Sequence, residues 1–261
     1  MASLWQDADG LRKKIYLTLW IMHRFYQANI TNKHTSFEIR DDGIVHQISR
    51  VLRMKVDEKI ALFNGGGVDF LCEIRSVAKD CVGVDVVNRV KSEAEREIKI
   101  HLYQGVPNVW SKFEEVVRKC TELGAISFHP VIMERSETRL KNGDLPPKLE
   151  RLSKIMIEAC EQCGGSVLPM IGNVEDLKSA SDAAPGVKIM AYEGDKETSL
   201  EELMSEMRNA GEVSLFVGPE GGITKGEAEY FVKSGGGTFN LGKRILRTET
   251  APVAVIGRIC F

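Results

Sequence analysis

Two short apolar runs near the end of the chain each stop at a glycine-bearing turn and pass directly into a helix start. This repeated order of strand, loop and helix restricts the fold to an α/β class. The first stretch is Leu215-Phe216-Val217-Gly218-Pro219-Glu220-Gly221-Gly222-Ile223-Thr224, and the second runs from Asn240 to Ala251. Glycines at such turns let backbone amides approach a ligand with no Cβ in the way, and the helix that follows offers unsatisfied N–H groups. A small-molecule pocket is the first inference. Gly218 to Gly222 matches neither G-x-G-x-x-G nor G-x-x-x-x-G-K-[ST], so the usual nucleotide readings lack their mechanism. The plain alternative is a pair of ordinary connections. The gathering of Arg247, Thr248, Glu249 and Thr250 at one helix start weighs against it.

Upstream of these turns the chain alternates strands and helices. Strands are predicted at Ile98–Tyr103, Ile126–Val131, Val187–Tyr192, Val213–Val217 and Thr238–Leu241. Helices are predicted at Lys112–Leu123, Leu149–Cys163, Leu200–Met207, Lys225–Lys233 and Thr250–Ile259. Phe113, Val116, Val117, Cys120 and Leu123 recur at helical spacing, as do Leu149, Leu152, Ile155, Met156, Ala159, Cys160 and Cys163. Thr224-x-x-Glu227 is a capping-box pattern that starts a helix straight after the first glycine-rich loop. Such alternation implies a mostly parallel sheet covered on both faces, with ligands bound beyond the carboxyl ends of its strands.

The first third reads differently. Ile60–Phe63, Phe70–Ile74 and Val82–Val87 are short β-rich runs, and Asn64-Gly65-Gly66-Gly67 between the first two is a hairpin signal. A small β-barrel is expected. Val45, Ile48, Val51 and Leu52 form an apolar helical stripe that leaves His46, Arg50 and Arg53 off it; these three are either a solvated face or phosphate contacts. The polar stretch Lys91 to Glu97 reads as a linker. These breaks give an expected organisation of an extension at 1–21, a barrel domain at 22–90 and an α/β domain at 98–261.

Composition excludes several classes. A net charge of −2 over 261 residues announces no global basic field, so RNA contacts must come from local clusters. Six irregularly spaced cysteines make no disulfide framework, which points to a reduced, cytoplasmic protein. Cys160-x-x-Cys163 lacks a second pair and sits in a helical pattern, so buried thiols with no metal are expected. Arg12-Lys13-Lys14 followed by an apolar run from Ile15 to Met22 imitates a signal peptide, but the run is far short of the roughly 18 residues of a membrane span.

Phe216 to Ile223 and Leu241 to Ala251, the latter containing Arg247-Thr248-Glu249-Thr250-Ala251, resemble the two C-terminal signatures of the RsmE family. His23-Arg24-Phe25, Val51-Leu52-Arg53, Thr121-Glu122-Leu123-Gly124, Glu134-Arg135-Ser136 and Glu158 to Gly164 resemble it in the same order. The resemblance implies a C-terminal trefoil-knotted SPOUT methyltransferase domain with an N-terminal PUA-like β-barrel domain. It also implies a homodimer, with S-adenosyl-L-methionine as methyl donor and N3 of a uridine in 16S rRNA of the small ribosomal subunit as acceptor. On this chain the implied cofactor-binding residues are Val217, Gly218, Glu220, Gly221, Gly222, Leu241, Gly242, Ile245, Leu246, Thr248, Thr250 and Ala251. Arg247 and Glu249 are the catalytic candidates. Arg24, His46, Arg50, Arg53, Lys112 and Arg135 are the RNA-binding candidates. The last helix, apolar on most sides apart from Arg258, fits a dimer interface.

The loop Pro107 to Ser111 departs from the family pattern. Pro252 does too, although proline costs little in a helix's first turn. Rival readings are another SPOUT-type RNA methyltransferase, a Rossmann-type enzyme, whose glycines should follow an early strand, and a non-catalytic RNA-binding scaffold, which needs no pocket.

Overall fold

The computed structural model describes residues 22–137 and 145–261, so the stretch 1–21, set aside as an extension, lies outside the described residues. Contacts divide the chain into two units. The first holds the described residues up to Glu95 together with Cys160–Leu168, and the second holds Arg96–Ala159 and Pro169–Phe261.

The first unit is built on five strands, β1 (Arg24–Tyr26), β2 (Ser36–Ile39), β3 (Lys59–Phe63), β4 (Val68–Val77) and β5 (Val82–Lys91), in the sheet order β1-β3-β4-β5-β2. β3, β4 and β5 form an antiparallel meander, while β1 joins β3 in parallel. At the β3–β4 turn the Asn64 side chain accepts the Gly66 N–H at 3.0 Å and donates to the Ile30 carbonyl at 2.9 Å, fixing the hairpin. Phe25, Ile39, Ile48, Leu62, Phe70 and Ile74 fill the core.

Helix α1 (Asp42–His46) runs on into a π-helical turn over Gln47–Val51. The expected stripe fails at one position: Val45 and Ile48 are buried and Leu52 half-buried, but Val51 is 63% exposed. The Leu52 N–H reaches back five residues to the Gln47 carbonyl. That wider turn rotates Val51 out of the stripe.

In the second unit seven strands form a parallel sheet: β6 (Lys99–Gly105), β7 (Ala125–Ile132), β8 (Met170–Ile171), β9 (Glu175–Asp176), β10 (Val187–Ala191), β11 (Glu212–Val217) and β12 (Gly237–Phe239). The order is β12-β10-β11-β6-β7-β8, with β9 also on β7. Among the described residues six helices accompany them: α2 (Trp110–Glu122), α3 (Leu145–Cys163, whose last turn belongs to the first unit), α4 (Leu177–Ala183), α5 (Leu200–Ala210), α6 (Lys225–Lys233) and α7 (Ala251–Cys260).

In the predicted stripes of α2 and α3, Phe113, Val116, Val117, Cys120, Leu152, Ile155, Met156, Ala159 and Cys160 are buried, while Leu123, Leu149 and Cys163 at the stripe ends are half-buried. α3 begins four residues earlier than its apolar spacing shows, because Pro146 and Pro147 fall in a first turn whose N–H groups lack helical partners anyway. α4 escapes sequence reading altogether, since only Leu177 and Ala180 mark its inner side. It is started by Asp176, which accepts the Lys178 and Ser179 N–H groups. The Thr224 and Glu227 capping box forms as its pattern predicts. β10, β11 and β12 end side by side, and the loops that leave them build the site.

Candidate active site

A cavity of about 850 Å³ opens beyond the carboxyl ends of β10, β11 and β12. Its wall comes from Ala191–Glu193, Asp195 and Lys196 after β10, from 217–223 after β11, and from 240–249 with Ala251 after β12; Lys112 of α2 completes it. That volume lies within the usual range for small-molecule sites, roughly 300–1,000 Å³.

One clasp holds two of these loops together. Thr248 Oγ1 donates to the Gly218 carbonyl at 2.7 Å, and Gln104 Nε2, at the end of β6, donates to Thr248 Oγ1 at 2.8 Å and to the Gly218 carbonyl at 3.3 Å. Gln104 and Thr248 are both buried. Next to Gln104, a Cβ on Gly105 would lie 2.5 Å from the Pro219 nitrogen, so only glycine lets the strand end meet the loop. Gln104 was not among the sequence candidates. Its only signal is a polar residue followed by glycine at the end of an apolar strand.

All the expected cofactor-binding residues but one line the cavity. Val217, Gly218, Glu220, Gly221, Gly222, Leu241, Gly242, Ile245, Leu246, Thr248 and Ala251 are on its wall. Thr250 is not: it is exposed and occupies the N-cap position of α7, its N–H bonded to the Arg247 carbonyl. Two others have duties within the protein. Both Glu220 oxygens are engaged, Oε1 by Lys112 Nζ at 2.7 Å and Oε2 by the Asn108 N–H at 3.2 Å. A Cβ on Gly221 would meet Arg135 Cβ at 2.8 Å, so the close approach that glycine permits there is to Arg135.

Charged groups of both signs stand on the wall. Arg247 and Glu249 form a loose pair at 3.9 Å, with side chains 85% and 14% exposed. Glu249 Oε2 is buried with no hydrogen-bond partner. Burial pushes the Asp195 carboxyl upward, but the Thr238 hydroxyl and the backbone N–H groups of Thr198 and Glu197 override it and hold the group below its ordinary value. Glu193, Asp195 and Glu249 give the cavity carboxylates, and Val217, Ile223, Leu241 and Leu246 give it an apolar lining. This set fits a cationic sulfonium nucleoside: apolar surface for a base, acceptors for hydroxyls and ammonium, and backbone exposed at the turns.

The RNA candidates separate. His46, Arg50 and Arg53 are exposed around α1, Arg53 with a positive φ of 55°. Arg135 is exposed and donates to the Gly221 carbonyl at 3.0 Å. Lys112 lines the cavity. Arg24 is corrected: its side chain is 6% exposed and donates to Asp69 Oδ1 at 2.9 Å, Ser166 Oγ at 2.9 Å and the Gly165 carbonyl at 3.2 Å. All three bonds leave from Nη2, and its Nε is buried with no hydrogen-bond partner, so the side chain is held inside the first unit and not presented at the surface. In α7, Ala251, Pro252, Val255, Ile256 and Ile259 are already buried within the chain, so much of the apolar excess that suggested a dimer is used internally. Cys160 is buried, which pushes its thiol up to about 12. Among the described residues no helix is long and apolar enough to cross a membrane.

Comparison with known proteins agrees with this architecture. An RNA methyltransferase domain matches residues 94–260, and an RNA methyltransferase PUA domain matches residues 41–82. Fold and cavity thus define an RNA methyltransferase that carries a PUA domain. Ribosomal RNA small subunit methyltransferase E of Bacillus subtilis (strain 168) is 32% identical over 223 residues, covering 83% of this chain and 87% of the relative. The protein of that name from Aquifex aeolicus (strain VF5) is 29% identical over 242 residues, covering 90% and 97%. The crystal structure of ribosomal RNA small subunit methyltransferase E from Neisseria gonorrhoeae, bound to S-adenosyl methionine, superposes with a TM-score of 0.80 at 29% identity, covering 91% of this chain and 96% of that one. The chain belongs to the ribosomal RNA small subunit methyltransferase E family.

Proposed function

We propose that this enzyme methylates N3 of a uridine in 16S rRNA, using S-adenosyl-L-methionine held in the cavity beyond β10, β11 and β12. The observation that carries the reading is the clasp of Gln104, Thr248 and Gly218, which joins two glycine-bearing loops around a cavity that suits that cofactor. Leu241, Leu246, Val217 and Ile223 would hold the adenine, and Glu193 and Asp195 the polar parts. When bound, the cofactor supplies an electrophilic methyl group.

The chain's own residues have two tasks: to align the acceptor nitrogen, and to stabilise negative charge on uracil as N3 loses its proton. Arg247 is the catalytic residue for the second. Its guanidinium is permanently charged and reaches from the cavity wall into solvent, where a base could meet it. Glu249, largely buried beneath it, biases its position. N3 lies on the Watson–Crick edge, so the target base is unpaired or splayed out of its helix.

His46, Arg50, Arg53 and Arg135 supply phosphate contacts, and the PUA-like domain at 22–90 positions the RNA for the domain at 98–261. The trefoil knot of the family goes with this reading, supported by the return of Thr248 beside Gly218. We also infer a cytoplasmic homodimer acting on small-subunit particles; Phe261, 81% exposed beyond α7, is the apolar surface that favours a second copy. A monomer mass in light scattering at micromolar concentration would remove that part. Mass mapping of methylated nucleotides after incubating the protein with small-subunit particles tests the whole. Methyl on a cytidine, a ribose or a protein overturns it.

A further inference from the structure

Helix α2 starts without a cap of its own. Val109 stands at the N-cap position and offers no side-chain hydrogen bond, and aliphatic residues are among the poorest choices there. The glycine-rich loop braces this start from outside the helix, at the residue before the N-cap and at the third residue of the helix. A single carboxylate, Glu220, takes the Asn108 N–H with one oxygen and Lys112 Nζ with the other, so it grips both sides of the helix start. Negative charge at that end is favoured by the partial positive charge of the exposed N–H groups.

The ionisation of both partners agrees with this geometry. Burial pushes the Glu220 carboxyl upward, yet Lys112 and the Asn108 N–H hold it below its ordinary value. Lys112 is raised, first by its hydrogen bond to Glu220; Glu249 acts in the same direction and Arg247 against it. Lys112 therefore stays a cation in the field of three charged groups that line the same cavity. An ion pair with side chains 34% and 28% exposed adds little to stability. What it fixes is position.

We propose that Glu220 is a positioning residue, tying the glycine-rich loop to the Asn108–Lys112 segment so that the Lys112 ammonium stands on the wall of the transfer cavity to meet negative charge on the acceptor RNA. This rests on the methyltransferase reading above. Glu220 then acts on the RNA side of the reaction, through another residue, and not as a ligand of the methyl donor.

The test uses the full chain with three readouts: hydrogen exchange over residues 106–112, S-adenosylmethionine affinity by calorimetry, and methyl transfer to small-subunit particles. Glu220→Ala should speed exchange of that segment and lower kcat by about tenfold, the equivalent of losing one hydrogen bond to a charged group, with cofactor affinity within about twofold of wild type. Glu220→Gln keeps an acceptor for Asn108 and loses the charge. It should retain most of the exchange protection while kcat still falls. Lys112→Met should lower kcat if the ammonium meets the reacting base, or raise KM for RNA and flatten the salt slope by about one unit if it meets a phosphate. Weakened cofactor affinity with unchanged exchange would make Glu220 a ligand of the methyl donor and overturn the proposal. Unchanged exchange and unchanged turnover would reduce the pair to a surface contact. Absence of transfer by the wild-type chain would fail the functional reading instead, and the exchange measurement would still decide the tether.

Discussion

Thr248 donates its hydroxyl hydrogen to the Gly218 carbonyl over 2.7 Å, tying the loop after β12 to the loop after β11 at a buried point. Because Gln104 donates to the same hydroxyl, the oxygen is both donor and acceptor in one chain of bonds. Thr248→Val keeps the shape and removes both roles, leaving the Gly218 carbonyl and the Gln104 amide only their longer bonds at 3.2 and 3.3 Å, at a cost of about 1 kcal/mol. The expected outcome is a lower denaturant midpoint together with weaker S-adenosylmethionine binding by calorimetry. A stability loss with wild-type cofactor affinity would show that the clasp does not shape the cavity.

Arg247 lies at the opposite extreme of exposure, with its guanidinium almost wholly in solvent and Glu249 at the limit of ion-pair distance. Arg247→Ala should leave Tm and cofactor affinity unchanged and reduce turnover on ribosomal particles by about 100-fold, typical of losing one charge-stabilising group. Near-normal turnover would take Arg247 out of the mechanism.

What the sequence made legible follows from how local each signal is. The glycine-bearing turns and the Thr224 and Glu227 capping box are written in adjacent residues, and β11, α6 and the cavity-lining loops appear where those patterns place them. Contacts that span the chain left no such mark. Gln104 meets Thr248 across 144 positions and Asn108 meets Glu220 across 112, so neither partner could be read from its neighbours. The π-turn that exposes Val51 was equally silent, since its residues keep an ordinary helical pattern. Arg24 entered the RNA candidates through the family resemblance, and nothing beside it in the sequence marks its burial; Asp69 and Ser166, its partners, lie far along the chain.

The arginines of the first unit should consequently divide into two behaviours. Arg24→Ala strands Asp69, which is buried, and breaking a buried pair from one side costs about 3–5 kcal/mol. Its signature is a lowered unfolding midpoint. Arg50→Ala with Arg53→Ala touches exposed side chains, so stability should hold while RNA affinity falls and its salt slope flattens by about one or two units, roughly one per lost contact. Filter binding across a salt series separates them; a double variant with the wild-type slope would leave that face merely solvated.

His129 gives the second unit a pH dependence whose sign is fixed by its surroundings. Its ring stacks on Tyr103 with centroids 4.2 Å apart and its Nε2 lies 2.9 Å from Ser127 Oγ, within a chain that continues through His101 to Glu212. Burial first, and the neighbouring His101 second, lower it to about 4 from its ordinary 6.5. Between those two values the unfolded chain binds the proton and the folded chain does not. Stability from this group is therefore complete above about pH 6.5 and is lost as pH falls toward 4, with a slope of up to about one proton. His129→Phe preserves a ring against Tyr103 and removes the titration. The expected result is a urea midpoint that drops between pH 7 and pH 4.5 in the wild type and drops less in the variant. Equal drops would show that His129 is already protonated in the folded protein across that range.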